Sequence, residues 1–251
     1  MSTNSSLLQI GAMEILVVRK PIKNLHLSVL PPDGKVRVSS PIRMNDNAIR
    51  TLIATRIHWI RKQKAKFAGQ LRQTPREFIS GEDHYFLGQR YRLEIFIKDE
   101  PSKIFLKGKN KIVLQIRPEA TLEKRKRVML DWYRKELKDV AGELLEKWQN
   151  KIGVRVSLWS IKRMKTRWGT CNQKTSHIWL NLELMKKPKN CIEYVVVHEL
   201  LHLIEKKHND RFVALMSQYL PKWRTEKDEL NRFILSHEKW ASCDIAFYKI
   251  R

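Results

Sequence analysis

Cysteine is scarce in this chain, and the few cysteines follow no recognisable pattern. The 251 residues contain three, Cys171, Cys191 and Cys243, and no two of them form a CxxC pair. An odd number of unpatterned cysteines argues against a disulfide framework and indicates a reducing compartment. The N-terminal residues lack the basic and apolar regions of a signal peptide, and no apolar run approaches ~18 residues. We therefore expect a cytoplasmic protein without a membrane span.

Acidic residues are also few in comparison with basic ones. The chain has 26 Asp and Glu against 50 Lys and Arg, which gives a formal net charge of +24 at pH 7. Both halves of the chain share this excess, so no single tail accounts for it. A broadly basic surface favours a polyanionic partner, DNA or RNA first and an acidic protein second. A basic surface that only faces solvent is the competing interpretation.

The clearest motif is His198-Glu199-Leu200-Leu201-His202. Residues four apart lie on one face of a helix, so the imidazoles of His198 and His202 can bind one metal ion. Glu199 then lies beside the ion, where its carboxylate can take a proton from a metal-activated water. This spacing predicts a zinc site and a hydrolase, above all one that acts on peptide bonds.

The residues around the motif predict a buried helix over residues 191–205. Most positions in this range are apolar, and a buried helix carries two histidines and a glutamate only where these side chains have partners. Asn190 and Glu193 stand three apart after Pro188, a spacing that is typical of an N-terminal capping box.

A third metal ligand is predicted in the polar segment that follows this helix. His208 stands six residues after His202, where the chain can turn back towards the metal. Glu205 and Asp210 are rival ligands at this stage. Cys171 is a further candidate, although a half-buried thiol without a metal is the simpler interpretation.

Hydrophobic patterns along the chain predict two domains and an α+β fold class. Residues 1–118 alternate as strands around one helix at about residues 45–71, which indicates a small β-rich N-terminal module. Residues 118–121 mark a boundary, and a long amphipathic connecting helix follows over about 122–147, before Gly153. Residues 119–251 then form the catalytic domain, with two strands before the motif helix and two helices after His208.

Several segments resemble the YgjP-like metallopeptidase family, which is related to the SprT-like zinc proteases. The resemblance rests on Arg167-Trp168-Gly169-Thr170-Cys171, on Asn181 and Leu182, on the His198–His202 motif, and on His208 and Phe212. Residues 36–41, 59–60, 87–91 and 132–133 also look like the N-terminal module of the family. The family more usually has Ser where this chain has Thr170, which is a small change.

The resemblance implies a zincin-like catalytic domain, in which an active-site helix lies under a short mixed sheet. It also implies His198, His202 and His208 as zinc ligands and Glu199 as general base, the residues that the spacing already selects. The SprT-like relatives include proteases that act on proteins crosslinked to DNA. This agrees with the basic charge, but only by analogy of fold.

We therefore expect a zinc metallopeptidase that cleaves proteins or peptides, with the substrate extended along an edge strand near residues 177–182. Candidates for the oxyanion stabiliser are Tyr194, Arg167, His177, Tyr219 and His237. Glu183 and Asp210 are candidate hydrogen-bond acceptors for the ligand imidazoles.

Two other functions are compatible with the sequence. The first is a DNA- or RNA-binding or scaffold protein in which the zinc site only stabilises the fold. Structural zinc sites usually have four protein ligands, and no cysteine lies close to the motif in sequence. The second is a hydrolase that acts on an amide other than a peptide.

Overall fold

The computed structural model describes residues 4–30, 34–68, 76–164, 167–232 and 248–249. These residues form three small sheets and five α-helices, which confirms the α+β class. No helix within the described ranges has the length and apolar character needed to cross a membrane. The chain divides into two compact units, Met1–Thr74 with Ser236–Arg251, and Pro75–Leu235.

The elements have the following bounds. The strands are β1 (Asn4–Ile10), β2 (Met13–Lys20), β3 (His26–Leu30), β4 (Lys35–Pro41), β5 (Asp83–Phe86), β6 (Gln89–Ile97), β7 (Lys103–Lys107), β8 (Lys111–Ile116), β9 (Leu158–Lys162), β10 (Gly169–Asn172), β11 (His177–Asn181) and β12 (Tyr248–Lys249). The helices are α1 (Asp46–Ala68), α2 (Leu122–Ile152), α3 (Lys189–Leu201), α4 (Asp210–Tyr219) and α5 (Trp223–Arg232), and a 3-10 helix spans Leu182–Lys186.

The first unit is a five-stranded sheet with one helix. The strand order is β1-β2-β4-β3-β12, in which β2 and β4 are parallel and the other neighbours antiparallel. Val17 on β2 lies opposite Val38 on β4, and both are fully buried. Ile49, Ile53 and Ile60 of α1 complete this core, because their spacing places them on one face of the helix.

The second unit contains a four-stranded sheet, a three-stranded sheet and the remaining four helices. The four-stranded sheet has the order β5-β6-β8-β7 and shares one hydrophobic core with α2 and α3. Helix α2 begins after Thr121, whose hydroxyl accepts a hydrogen bond from the N–H of Lys124 at 3.3 Å. It ends at Gly153, as predicted, where a φ of +79° favours glycine.

The order of the strands repeats along the chain. In both β1–β4 and β5–β8 the second strand is parallel to the fourth, and the fourth is antiparallel to the third. The three-stranded sheet has the same pattern without the first strand, because β9 is parallel to β11 and β11 is antiparallel to β10. A helix follows each of the three sheets. The sequence shows no internal repeat, so the repetition lies in the topology.

The predicted division into residues 1–118 and 119–251 stays a prediction, and the compact units divide the chain elsewhere. Leu93 and Leu114 of the four-stranded sheet lie in the same core as Leu137 of α2 and Val196 of α3. Residues 76–118 therefore pack with the predicted catalytic half. Residues 118–121 mark the entry into α2 rather than a break in the core.

Candidate active site

Three histidine side chains converge at the C-terminal end of α3. His198 lies in the last turn of the helix, His202 caps its end, and His208 lies in the segment before α4. Their candidate ligand atoms all lie within 4.8 Å of one another. The Nε2 atoms of His198 and His208 are 3.0 Å apart. Among the residues that the structure describes, these three form the cluster of potential metal ligands.

The early end of α3 brings the histidines together. The motif helix ends at Leu201, four residues before the predicted end, because the next N–H groups bond back in tight turns. This places the carbonyl oxygen of Glu205 3.0 Å from Nδ1 of His202. With Nδ1 donating to that carbonyl, the lone pair of Nε2 of His202 is available to a metal ion.

Phe212 is the common neighbour of the three imidazoles. Its ring centroid lies 5.0 Å from that of His198, 4.9 Å from that of His202 and 4.8 Å from that of His208. Asn209 fixes the start of α4, since its side-chain oxygen accepts a hydrogen bond from the N–H of Phe212 at 3.0 Å. The Asn209 cap therefore positions both Phe212 and His208, the residue directly before Asn209.

Burial favours the uncharged form of the three imidazoles, because it lowers their pKa values. It lowers the pKa of His198 to about 3, and the neighbouring His202 and His208 lower it further. Burial is also the main cause that lowers the pKa of His202 and of His208. Neutral imidazole is the form that binds metals, so the cluster is ready to coordinate at neutral pH.

Glu199 lies beside the cluster and is almost completely buried. The residue is 5% exposed. Burial raises its pKa to about 8, and the positive charge of Arg167 acts in the opposite direction. A carboxyl group in this environment holds a proton near neutral pH and can exchange it.

Strand β10 runs directly against Glu199, and glycine makes this approach possible. A Cβ atom at Gly169 would lie 2.6 Å from Oε1 and 2.7 Å from Cγ of Glu199. Contacts this short would force the backbone or the glutamate to move. Gly169 therefore gives Glu199 its space, a role that sequence analysis did not assign to it.

A cavity of about 810 Å³ gives access to the cluster. Its lining residues include His198, Glu199, His202, His208, Tyr194, Lys206 and the continuous stretch 167–174. The prediction of an edge strand near residues 177–182 is wrong, because β11 lies between β10 and β9 and pairs with both. Among the described residues, the edge of the sheet that lines the cavity and pairs with no other strand is that of β10.

A sequence comparison connects this site to known proteins. The family described as "YgjP-like, metallopeptidase domain" matches residues 23–233. The chain belongs to the YgjP-like metallopeptidase family. The predicted resemblance is thereby confirmed. The activity that this family implies is metal-dependent hydrolysis of proteins or peptides.

Two solved structures, both described as metallopeptidase zymogens, are similar to parts of this family member. Abylysin from Pyrococcus abyssi is 20% identical over 36% of this chain and 90% of its own, with a TM-score of 0.34. Jannalysin from Methanocaldococcus jannaschii is 26% identical over 38% of this chain and 91% of its own, with a TM-score of 0.31. A comparison with curated proteins gives no match.

The rival ligands of this metallopeptidase lie outside the histidine cluster. The side chain of Glu205 accepts a hydrogen bond from the N–H of Lys207 at 3.1 Å, and Asp210 is exposed at the start of α4. Cys171 lines the cavity, but its thiol does not belong to the cluster.

Two of the five predicted oxyanion stabilisers line the cavity, namely Tyr194 and Arg167. His177 and Tyr219 lie outside its lining, and His237 lies outside the described residues. Glu183 pairs with Lys186 at 2.7 Å. For His202, the hydrogen-bond acceptor is a backbone carbonyl rather than the predicted carboxylate.

Replacing Gly169 by Ala should destabilise the metal-free protein by about 2 kcal/mol, because the new methyl group overlaps Glu199. The cost should nearly vanish in a Glu199→Ala background, where the overlapping atoms are absent. Urea unfolding of the wild type, both single variants and the double variant measures this coupling. Equal costs in the two backgrounds would show that Gly169 serves another purpose.

The buried Glu199 should make the metal-free protein less stable as pH rises. The folded state raises the pKa from 4.5 to about 8, so the folded protein binds the proton more tightly than the unfolded chain. Stability is therefore full below about pH 4.5 and declines up to about pH 8. Relative to Glu199→Gln, the wild type should lose about 3 kcal/mol between pH 5 and pH 8.

Urea unfolding in the presence of a chelator, at several pH values, measures this difference. The histidines titrate in both proteins, so their contribution cancels in the comparison. Parallel stability curves for the two proteins would contradict the assignment of a protonated, buried Glu199.

Proposed function

We propose that this protein is a zinc-dependent peptidase with His198, His202 and His208 as the zinc ligands and Glu199 as the general base. The observation that carries the proposal is the convergence of three neutral imidazoles beside a buried carboxyl group in a cavity. Three nitrogen donors without a carboxylate suit zinc rather than calcium or magnesium, which prefer oxygen ligands. We also propose that α3 and the mixed three-stranded sheet form a zincin-like catalytic domain in a cytoplasmic protein.

The chain's own residues would carry the proton transfers. A zinc ion in this site supplies Lewis acidity, which polarises the scissile carbonyl and makes water nucleophilic near neutral pH. Glu199 accepts the proton of the attacking water and passes it to the leaving amine nitrogen. Glu199 holds a proton in the metal-free protein, and the positive charge of a bound zinc ion would favour its carboxylate form. Burial then makes this carboxylate a stronger base than one in water.

The substrate backbone would lie along β10. The outer edge of this strand faces no other strand among the described residues, and its residues line the cavity. An extended peptide can therefore form main-chain hydrogen bonds there, as a strand added to the sheet. Tyr194 and Arg167 are the candidate donors to the oxyanion. Burial raises the pKa of Tyr194 to about 12, so its hydroxyl keeps the proton that it would donate.

The observed cluster favours a catalytic zinc site over a structural one. A closed structural site needs four protein ligands, and the cluster within the described ranges has three. Three protein ligands and one place for solvent are the composition of a catalytic site. The alternative of a nucleic-acid-binding or scaffold protein with a structural zinc is therefore the weaker proposal.

Changing Glu199 to Gln should lower kcat/KM by about a thousandfold, because the amide cannot accept the water proton. Zinc content should remain at one ion per chain, since Glu199 is not a ligand. His202→Ala should instead lose the metal. Elemental analysis and cleavage of a fluorogenic peptide measure the two effects.

His58→Ala is the matched control, because His58 is exposed on α1 and outside the cluster. This variant should keep both zinc and activity. Full activity in Glu199→Gln would remove Glu199 from its role, and an undiminished zinc content in His202→Ala would reject the metal site.

Nucleic-acid binding stays a prediction from the net charge. Trp179 on β11 is no stacking platform, because both faces of its ring are covered. The ring of His177 stacks on it with centroids 3.7 Å apart, and Nζ of Lys162 lies 4.4 Å from the centroid. Two parallel rings at that distance leave no room for a lysine between them, so Lys162 covers the opposite face.

If nucleic acid does bind, affinity for a single-stranded oligonucleotide should fall about a hundredfold between about 50 and about 200 mM salt. The physical reason is the release of counterions when lysines and arginines neutralise phosphates. Fluorescence anisotropy at a series of salt concentrations measures the slope. If the affinity does not change with salt, or if nothing binds at the lowest salt concentration, the basic charge does not indicate nucleic-acid binding.

A further inference from the structure

The charged side chains around the cavity are nearly all positive. Besides Glu199, its charged lining residues are Arg167, Lys174 and Lys206, and all three are exposed. Within the described part of the chain, no carboxylate forms an ion pair with any of them. Exposed cations without an ion pair are free to bind anionic groups of a ligand, and Arg167 in addition acts through its charge on Glu199.

The cations lie at both ends of the exposed edge of β10. Arg167 precedes the strand and Lys174 follows it. Four residues of extended chain span about 13 Å, so a bound peptide of about six residues passes both side chains. Lys206 also lines the cavity, from the segment between His202 and His208.

Hydrogen bonds hold both ends of β10, and the one at its C-terminal end reaches a candidate zinc ligand. Gln173, next to Lys174, donates from its side-chain amide to the carbonyl oxygen of His202. At the other end, the side-chain amide of Asn181 donates to the carbonyl oxygen of Arg167 at 2.8 Å. Lys174 therefore follows a residue that is bonded to the His202 backbone, and Arg167 lines the same cavity near enough for its charge to act on Glu199. Both cations lie near the place where a peptide bond would be cleaved.

The wall of the cavity adds no negative charge. Residues 147–182, which include all three strands of this sheet, contain eight Lys and Arg but no Asp or Glu. A substrate with basic side chains would meet like charges at both ends of β10. A substrate with acidic side chains would meet opposite charges on either side of the cleavage point.

We propose that the site selects peptides with acidic side chains on both sides of the scissile bond, through Arg167, Lys174 and Lys206. This inference rests on the proposed peptidase function and adds the substrate class to it. A peptide fits better than a nucleic acid, because the edge of β10 offers main-chain hydrogen bonds.

The test uses two fluorescent peptides of identical sequence, with either Glu or Gln at the residues that flank the scissile bond. Binding is measured with zinc-loaded Glu199→Gln protein, so that cleavage does not disturb the equilibrium. The Glu peptide should bind about tenfold more tightly at low salt, and added salt should shrink the difference.

Charge reversal shows which side chains cause the preference. Lys174→Glu and Lys206→Glu in the same background should each reduce the Glu-over-Gln ratio by about tenfold, because attraction becomes repulsion. Lys174→Arg should keep the ratio, since the charge is retained. Lys109→Glu is the matched control, because Lys109 is exposed in the β7–β8 turn and outside the cavity lining.

Equal affinity for the two peptides, or an unchanged ratio in both charge-reversal variants, would overturn the inference. A single-stranded oligonucleotide that binds more tightly than the Glu peptide, and loses affinity in the same two variants, would also overturn it. Wild-type cleavage of the two peptides separates the two proposals. If the Glu peptide binds more tightly and neither peptide is cleaved, the proposed peptidase function is wrong, but the proposed preference for acidic peptides is supported.

Discussion

Three uncharged imidazoles lie around one point because helix α3 ends at Leu201. A longer helix would carry the following residues along its axis at about 1.5 Å each and would move His208 away from its partners. Instead, the chain turns, the carbonyl of Glu205 orients His202, and the Asn209 cap starts α4. The ring of Phe212 then packs against all three imidazoles.

Residues 167–174 form another part of the cavity lining. The position of this stretch depends on its contact with Glu199 and on the three-stranded sheet. Gly169 lets β10 approach Glu199 closely, and Glu199 is almost completely buried. Asn181 supports that strand, because its buried amide donates to the carbonyl oxygens of Met164 and Arg167 at 2.7 and 2.8 Å. Its oxygen accepts from the N–H of Glu183 at 3.2 Å. The exposed edge of β10 and the raised pKa of Glu199 therefore have the same structural origin.

Local sequence patterns predicted the features that depend on neighbouring residues, namely the spacing along α3 and the end of α2. They missed the features that depend on residues far apart in the sequence. The convergence of His198 and His202 follows from helical spacing, and Gly153 marked the end of α2. By contrast, the predicted capping box at Glu193 is wrong, because its carboxylate accepts from the indole N–H of Trp148, 45 residues away. Helix α3 follows Pro188 without a side-chain cap. Two strands were predicted before the motif helix and the structure has three, because the extended conformation of the short strand β10 depends on pairing with β11.

X-ray absorption at the zinc edge of the zinc-loaded protein tests the central claim most directly. The account predicts a first coordination shell of three imidazole nitrogens and one solvent oxygen, and the loss of one imidazole in His208→Ala. A sulfur ligand, or a fourth protein ligand in place of solvent, would contradict an open catalytic site. A shell that is unchanged in His208→Ala would contradict the three-histidine cluster as the place where the metal binds.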